Sequence, residues 1–201
     1  MDEDPRSHLA EVGRQFYDRG WMWATAGNLS ARADPESFWI TGSGVSKGSL
    51  TAEQFVRLKI ADGAILECAD PAARPSAEAS IHRAIYRVRG SSVGACLHGH
   101  SVAAVLAARL GDHLVLPRVE MIKALGVWDD DAETTLPILP NHAQVARIGD
   151  LAEGFLHANP DALPALIVRD HGVTAWGRTI PEAVQHFEAV EFLLTLLSRG
   201  F

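Results

Sequence analysis

"VGACLHGHS", residues 93–101, is the stretch on which the reading of this chain turns. An apolar strand-like run ends in His98 and His100, and the helix-like "SVAAVLAARLG" (101–111) follows. In a strand, residues i and i+2 point to the same side, so the two imidazoles converge if the strand persists to His100. Gly99 leaves room between them for an ion or substrate to approach the backbone. Two neutral imidazoles on one face, with nitrogens about 2.0–2.1 Å from a shared ion, suit zinc. The pair alone is equally compatible with two ordinary polar side chains at a strand end.

A third ligand decides between these readings. His8, His142, His157 and His186 lie in helical stretches or at their ends, among charged or small neighbours, where solvated histidines are common. His82 reads equally well as a helix-packing residue, and His113 lies in a polar turn. His171 differs, because it follows the apolar run "LPALIVRD" (163–170) and precedes Gly172. That places it at a strand end, where loops build sites. Three histidines with an open fourth position make a catalytic zinc site, whereas structural sites are closed by four protein ligands. His98, His100 and His171 are the expected metal triad.

Around this stretch the pattern alternates between strands and helices. Asp4 and Pro5 read as an N-cap and first helical position, Leu9, Val12 and Phe16 share one face, and Gly20 is a stop. "TAGNLSAR" (25–32) and "ITGSGVSKG" (40–48) break the helical pattern with glycines and small polar residues, while "FWIT" (38–41) and "FVRLKI" (55–60) read as short strands. The loop "ADPAARP" (69–75) leads into a helix over 76–90, with Ala77, Ile81, Ala84, Ile85 and Val88 on its inner face. Further on, a helix is expected over 101–111, a strand over 135–140 and a helix over 142–158. Two strands then meet at a turn around His171 and Gly172. The last helix (179–200) opens with Thr179 and Glu182 at capping-box spacing. Such a mixture predicts a single α/β domain, 1–201, with helices covering a sheet.

Bulk composition narrows the function classes. The 201 residues are 47% hydrophobic and 21% charged, with 18 basic against 25 acidic side chains and a net charge of −7. That balance argues against a nucleic-acid or anionic-membrane surface, although a local basic pocket is still compatible with a phosphate. The acidic start "MDEDPRSHLAEVG" lacks the features of a signal peptide, and no apolar run approaches the roughly 18 residues of a membrane span. Cys68 and Cys96 show no CxxC spacing and read as two reduced thiols, so a cytoplasmic protein is expected.

A metal of this kind still needs a partner to move protons, and two glutamates qualify. Glu78 opens a helix in "PSAE" (75–78); its bland reading is a carboxylate favourably placed near a helix N-terminus. Glu120 stands in "RVEMIKALG" (118–126); its bland reading is a surface residue paired with Lys123. "GNLS" (27–30), "TGSGVSKG" (41–48) and "PSAE" share small residues that turn backbone N–H groups and hydroxyls toward an anion, with Lys47 adding a positive charge. "TGSGVSKG" is not a P-loop, since it lacks the GxxxxGK[ST] spacing.

In this order "GNLS", "SGVSKG", "PSAE", "HGHS" and "DHG…WG" resemble the class II aldolase/adducin superfamily, from about Gly27 to the last helix. The resemblance implies a three-layer α/β/α sandwich with a central, largely antiparallel sheet. It also implies a zinc or similar divalent ion, a sugar-phosphate substrate and a homotetramer with sites near subunit contacts. "PRVEMIKALG" (117–126) and "LPILPN" (136–141) look most like the dehydratase branch, lyases that remove water from a methylthio-pentulose phosphate in methionine salvage. Carried over by position, His98, His100 and His171 become metal ligands and Glu120 the acid/base. Asn28, Ser43, Gly44, Lys47 and Ser76 become phosphate-pocket candidates, with Glu78 beside the substrate. Val127 and Trp128 are candidates for an apolar wall against the methylthio tail.

Two departures keep other readings in play. Ser76 is followed by Ala77 where many aldolases have two serines, and Glu78, the glutamate that aldolases use, is present. A sugar-phosphate aldolase or epimerase, such as a fuculose-phosphate aldolase, is the near rival. A non-catalytic adducin-like binding module is the distant one, disfavoured by the intact histidine triad.

Overall fold

The computed structural model describes residues 4–129, 131 and 133–200. Helix α1 (Pro5–Asp18) begins where the sequence predicts, the Asp4 carboxylate accepting the Arg6 N–H at 3.0 Å. Strands β1 (Asn28–Asp34), β2 (Ser37–Thr41), β3 (Phe55–Lys59) and β4 (Ile65–Cys68) form an antiparallel meander. Helix α2 (Ala79–Arg89) leads to β5 (Ala95–Gly99), the short α3 (Val102–Ala107) and β6 (His113–Val115). Strand β7 (Thr135–Leu139), helix α4 (Val145–Ala158), the hairpin β8 (Ala165–Val168) and β9 (Gly172–Gly177), and α5 (Ile180–Ser198) complete the order.

The nine strands form one sheet in the order β4-β3-β2-β1-β5-β9-β8-β7-β6. Every neighbouring pair is antiparallel except β7 and β8. Both faces of the inner strands β2, β5, β8 and β9 are buried, so these strands carry two alternating apolar sets rather than an apolar and a polar one. Trp39, Leu97, Ile167 and Val173 pack with Phe16, Ala104, Phe187 and Leu193 beneath α1, α3 and α5. Phe38, Ile40, Cys96, Leu166 and Trp176 pack with Ile81, Ile85 and Ile148 beneath α2 and α4. The result is the expected three-layer arrangement.

That alternation positions the polar residues that matter. Leu29 and Ala31 of β1 face the α1/α5 side, which turns Asn28 and Ser30 toward α2. Asn28 pairs with His98 across β1–β5, and His98 pairs with Thr174 across β5–β9. One transverse row of the sheet therefore reads Asn28, His98, Thr174, all on the α2 face.

Some elements differ from the sequence reading. "TAGNLSAR", which the sequence shows only as a break in the helical pattern, runs from Asn28 as a strand flanked by β2 and β5, its polar side chains finding buried partners. Strands β4 and β6 are additional. Helix α3 stops at Ala107, four residues before Gly111. Arg169 donates to the carbonyls of Ala108 at 2.7 Å and Gly111 at 2.9 Å, turning the chain where local pattern alone would continue it. His113 opens β6 rather than lying in a turn, and Ala77 is exposed just ahead of α2.

Candidate metal centre

Strand β5 delivers both histidines, as the i, i+2 geometry requires, with His98 fully buried and His100 just beyond the strand end. The space beside Gly99 is taken by protein rather than left for a ligand. A Cβ there would lie 2.6 Å from the Phe187 ring and 3.0 Å from the Trp21 carbonyl. The His100 N–H donates to that same carbonyl at 2.8 Å, which pins the strand end. His171 comes from the β8–β9 turn, where Asp170 adopts a left-handed conformation (φ +51°). At Gly172 the turn and β5 touch: a Cβ would lie 2.2 Å from the Gly99 carbonyl oxygen.

The three imidazoles converge. Ring centroids are 4.9 Å (His98–His100), 5.1 Å (His98–His171) and 4.5 Å (His100–His171) apart, each pair within a few degrees of perpendicular. His98 Nε2 lies 2.9 Å from His100 Nε2, and His98 Nδ1 lies 2.8 Å from Thr174 Oγ1. Each of these three rings and Glu78 offers a ligand atom, and all four atoms lie within 4.8 Å of one another. A tetrahedral ion with bonds of about 2.0–2.1 Å holds its donors roughly 3.3 Å apart. Burial holds His98 well below the ordinary imidazole range and lowers His100 to about 4, His171 adding to the latter. Neutral rings are what a divalent ion needs, and Thr174 fixes the orientation of one of them. The donor set fits a metal.

Glu78 stands at the N-terminal boundary of α2, its side chain turned to the cluster rather than to the helix, with Oε1 3.5 Å from His171 Nε2. Its Oε2 accepts from Ser76 Oγ at 2.6 Å and Asn28 Nδ2 at 3.2 Å. Burial acts to raise its pKa, but the hydrogen bonds from His171 and the Ser76 hydroxyl outweigh it. The carboxyl is held well below the usual carboxylate range. Lys47 is buried, donating to the carbonyls of Thr25 at 2.7 Å and Val45 at 2.9 Å. Burial lowers it to about 8, against the opposing charge of Glu78. The Gly42–Ser43 segment is knitted to Arg74–Ser76 by backbone bonds, and Gly44 (φ +75°) has open space around it.

Six predicted residues thus meet: Asn28, Ser76, Glu78, His98, His100 and His171, with Lys47 in electrostatic reach and Ser43–Gly44 on the adjoining loop. Glu120 does not join them. It is 86% exposed and ion-paired with Lys123 at 3.1 Å, three residues on. Trp128 is 74% exposed and, with Val127, lines a separate surface hollow beside Thr135 and Leu163. Thr174 was missed; its only sequence signal is a lone hydroxyl within the apolar "GVTAWG" (172–177).

His82, one turn along α2 from Glu78, is fully buried, with Nδ1 2.7 Å from Ser30 Oγ and that hydroxyl 2.8 Å from Tyr86 OH. It is a packed core histidine. Burial lowers it to about 3 from 6.5, so between those values the unfolded chain takes up a proton that the folded chain refuses. Stability therefore falls as pH drops below about 6.5, with a slope approaching about 1.4 kcal/mol per pH unit from this one group. Urea unfolding of metal-free protein between pH 6.5 and 5 checks this. The His82→Gln variant is expected to show a shallower slope by that amount, and an identical slope refutes it.

Residues 7–197 match the family described as Class II Aldolase and Adducin N-terminal domain. The chain belongs to that family. It is 43% identical over 200 residues to "Methylthioribulose-1-phosphate dehydratase" of Microcystis aeruginosa, covering 98% of this chain and 97% of that one. A protein of the same name from Leptospira biflexa is 38% identical, with 95% of each chain covered. Among solved structures, the L-fuculose-1-phosphate aldolase of Thermus thermophilus superposes with a TM-score of 0.71 at 26% identity, over 94% and 91% of the two chains. The histidine cluster thus lies in a chain of the class II aldolase family.

Proposed function

We propose that this chain, acting as one unit over 1–201, dehydrates 5-methylthioribulose 1-phosphate to 2,3-diketo-5-methylthiopentyl 1-phosphate in methionine salvage. The observation that carries the reading is the convergence of His98, His100, His171 and Glu78 in a chain 43% identical, end to end, to a protein bearing that activity in its name. Zinc is the proposed ion, because three imidazoles and one carboxylate are borderline-soft nitrogen and hard oxygen donors in a compact set. When bound, such an ion supplies Lewis-acid polarisation of the substrate's carbonyl and hydroxyl oxygens.

The chain's own groups supply the rest. Lys47 has used two of its three ammonium protons on backbone carbonyls, leaving one for the phosphate. Ser43 and Gly44 offer the loop against which that phosphate sits, and Asn28 and Ser76 border it. Glu120 removes the C3 proton; the C4 hydroxyl departs as water, taking a proton back from Glu120, and the enol left behind becomes the 2,3-diketone. The exposure of Glu120 on a single chain suits a group that meets substrate where subunits come together, in line with a homotetramer. Val127 and Trp128 are the proposed wall for the methylthio tail. Among the described residues no helix is long and apolar enough to cross a membrane, and a cytoplasmic setting is proposed.

One observation favours a second reading. Glu78, not Glu120, is the carboxylate inside the cluster, which suits aldol cleavage of a sugar phosphate. Incubating metal-loaded protein with methylthioribulose 1-phosphate and weighing the products separates the two. Loss of one water, prevented by prior chelation, is expected. Unchanged substrate with the ion firmly bound overturns the dehydratase in favour of the aldolase.

A further inference from the structure

Helix α5 packs an apolar stripe, Phe187, Val190, Leu193 and Leu194, into the core between itself and the sheet. Glu191 stands in the middle of that stripe and is only 2% exposed. Among the described residues no salt bridge reaches it. Its Oε1 accepts the Ser101 hydroxyl at 2.7 Å, and the Ser101 Oγ in turn accepts the Ala104 N–H at 3.0 Å, capping α3. Ser101 is itself buried and is the residue directly after His100.

A carboxylate without a counter-ion is an expensive occupant of a core, and an apolar residue of similar size there is often neutral or stabilising. Burial pushes Glu191 up to about 7, the Ser101 hydrogen bond working the other way. Packing does not explain this side chain. Its one polar contact leads to the turn between β5 and α3, and that turn sets the direction in which His100 leaves the sheet. A lone Ser101 hydroxyl is free to rotate; donating to Glu191 fixes its lone pairs on the Ala104 N–H. The His100 N–H anchored on Trp21 holds the near side of the same turn.

We propose that Glu191 is a positioning residue for the metal centre: through Ser101 it locks the turn after His100 and so holds that imidazole facing His98 and His171. This rests on the reading of the triad as a metal site. The signal in the sequence is a single acidic residue inside the otherwise apolar "AVEFLL" (189–194).

Metal affinity by competition with a chromogenic chelator, together with the thermal unfolding midpoint of metal-free protein, tests it. Wild type is expected to bind one zinc ion per chain. Glu191→Met should weaken binding about tenfold or more while the metal-free midpoint stays level or rises. Glu191→Gln keeps an acceptor oxygen and should stay within about threefold of wild type. Ser101→Ala should weaken binding by a factor similar to that of Glu191→Met, and the double variant should be no weaker than the weaker single, because both remove one connection. Affinity within about twofold of wild type in Glu191→Met, or losses that simply add, overturns the proposal while leaving the metal site intact. A joint fall of affinity and metal-free midpoint that Gln does not rescue makes Glu191 structural only and also overturns it. If Glu191→Met does not fold, wild-type affinity in Ser101→Ala is decisive against it. A folded wild type that binds no metal overturns this proposal and the metal reading together.

Discussion

Glu120→Gln is expected to lower turnover of methylthioribulose 1-phosphate by about 10²–10⁴-fold and to leave the metal ion bound. The amide has the shape of the carboxylate but cannot take the C3 proton, so substrate binding survives and chemistry does not. Metal retention follows from geometry: Glu120 lies outside the histidine cluster, paired with Lys123 at the surface. Glu78→Gln should behave differently. Its carboxylate takes hydrogen bonds from Asn28 and Ser76 and lies 3.5 Å from His171, so an amide nitrogen there would face donors with a donor. Weaker metal binding and a raised KM are the expected signature, with kcat less affected. Steady-state kinetics and metal content of both variants decide the matter. Full activity in Glu120→Gln beside an inactive, metal-loaded Glu78→Gln reverses the two roles and moves the function toward aldol cleavage.

The parts of this site that the sequence reveals are those fixed by local geometry. His98 and His100 converge because strand periodicity and a strand end suffice, and His171 stands out because an apolar run stops beside a glycine. Helices α1 and α5 are legible from their caps and apolar stripes. What stays hidden is set by distant neighbours. Strand β1 goes unassigned because its buried polar residues, Asn28 and Ser30, make sense only once Glu78, His82 and Tyr86 are opposite. Helix α3 ends early because Arg169, 61 residues beyond Ala108 in the chain, captures its carbonyls. Thr174 and Glu191 carry no local pattern pointing to the centre; their role depends on which histidine or serine the fold sets before them. Glu78 and Glu120 are equal candidates in sequence, and only the fold separates one inside the cluster from one at the surface.

Gly172→Ala is expected to dismantle the centre without touching a ligand. The added methyl would lie 2.2 Å from the Gly99 carbonyl oxygen, 3.1 Å from its carbon and 3.1 Å from His100 Cδ2. Backbone cannot rotate away as a side chain does, so β5 and β9 must part. Strand β5 cannot simply slide away, because β1 is hydrogen-bonded along its other edge. Strain of this kind costs about 3 kcal/mol or more when both partners are backbone. The separation also pulls His171, carried by the β8–β9 turn, away from the pair on β5, so metal binding is lost with stability. Gly154→Ala is the control. It adds the same methyl on an exposed turn of α4 with nothing within 4 Å, and should stabilise by roughly 0.5–1 kcal/mol. Both substitutions restrict the unfolded chain alike, so their difference reports the folded contact together with alanine's preference for helix over strand. Urea unfolding and zinc content of the two variants measure it. If Gly172→Ala matches Gly154→Ala in stability and keeps its metal, the close approach of β5 and β9 is not what holds the three histidines together.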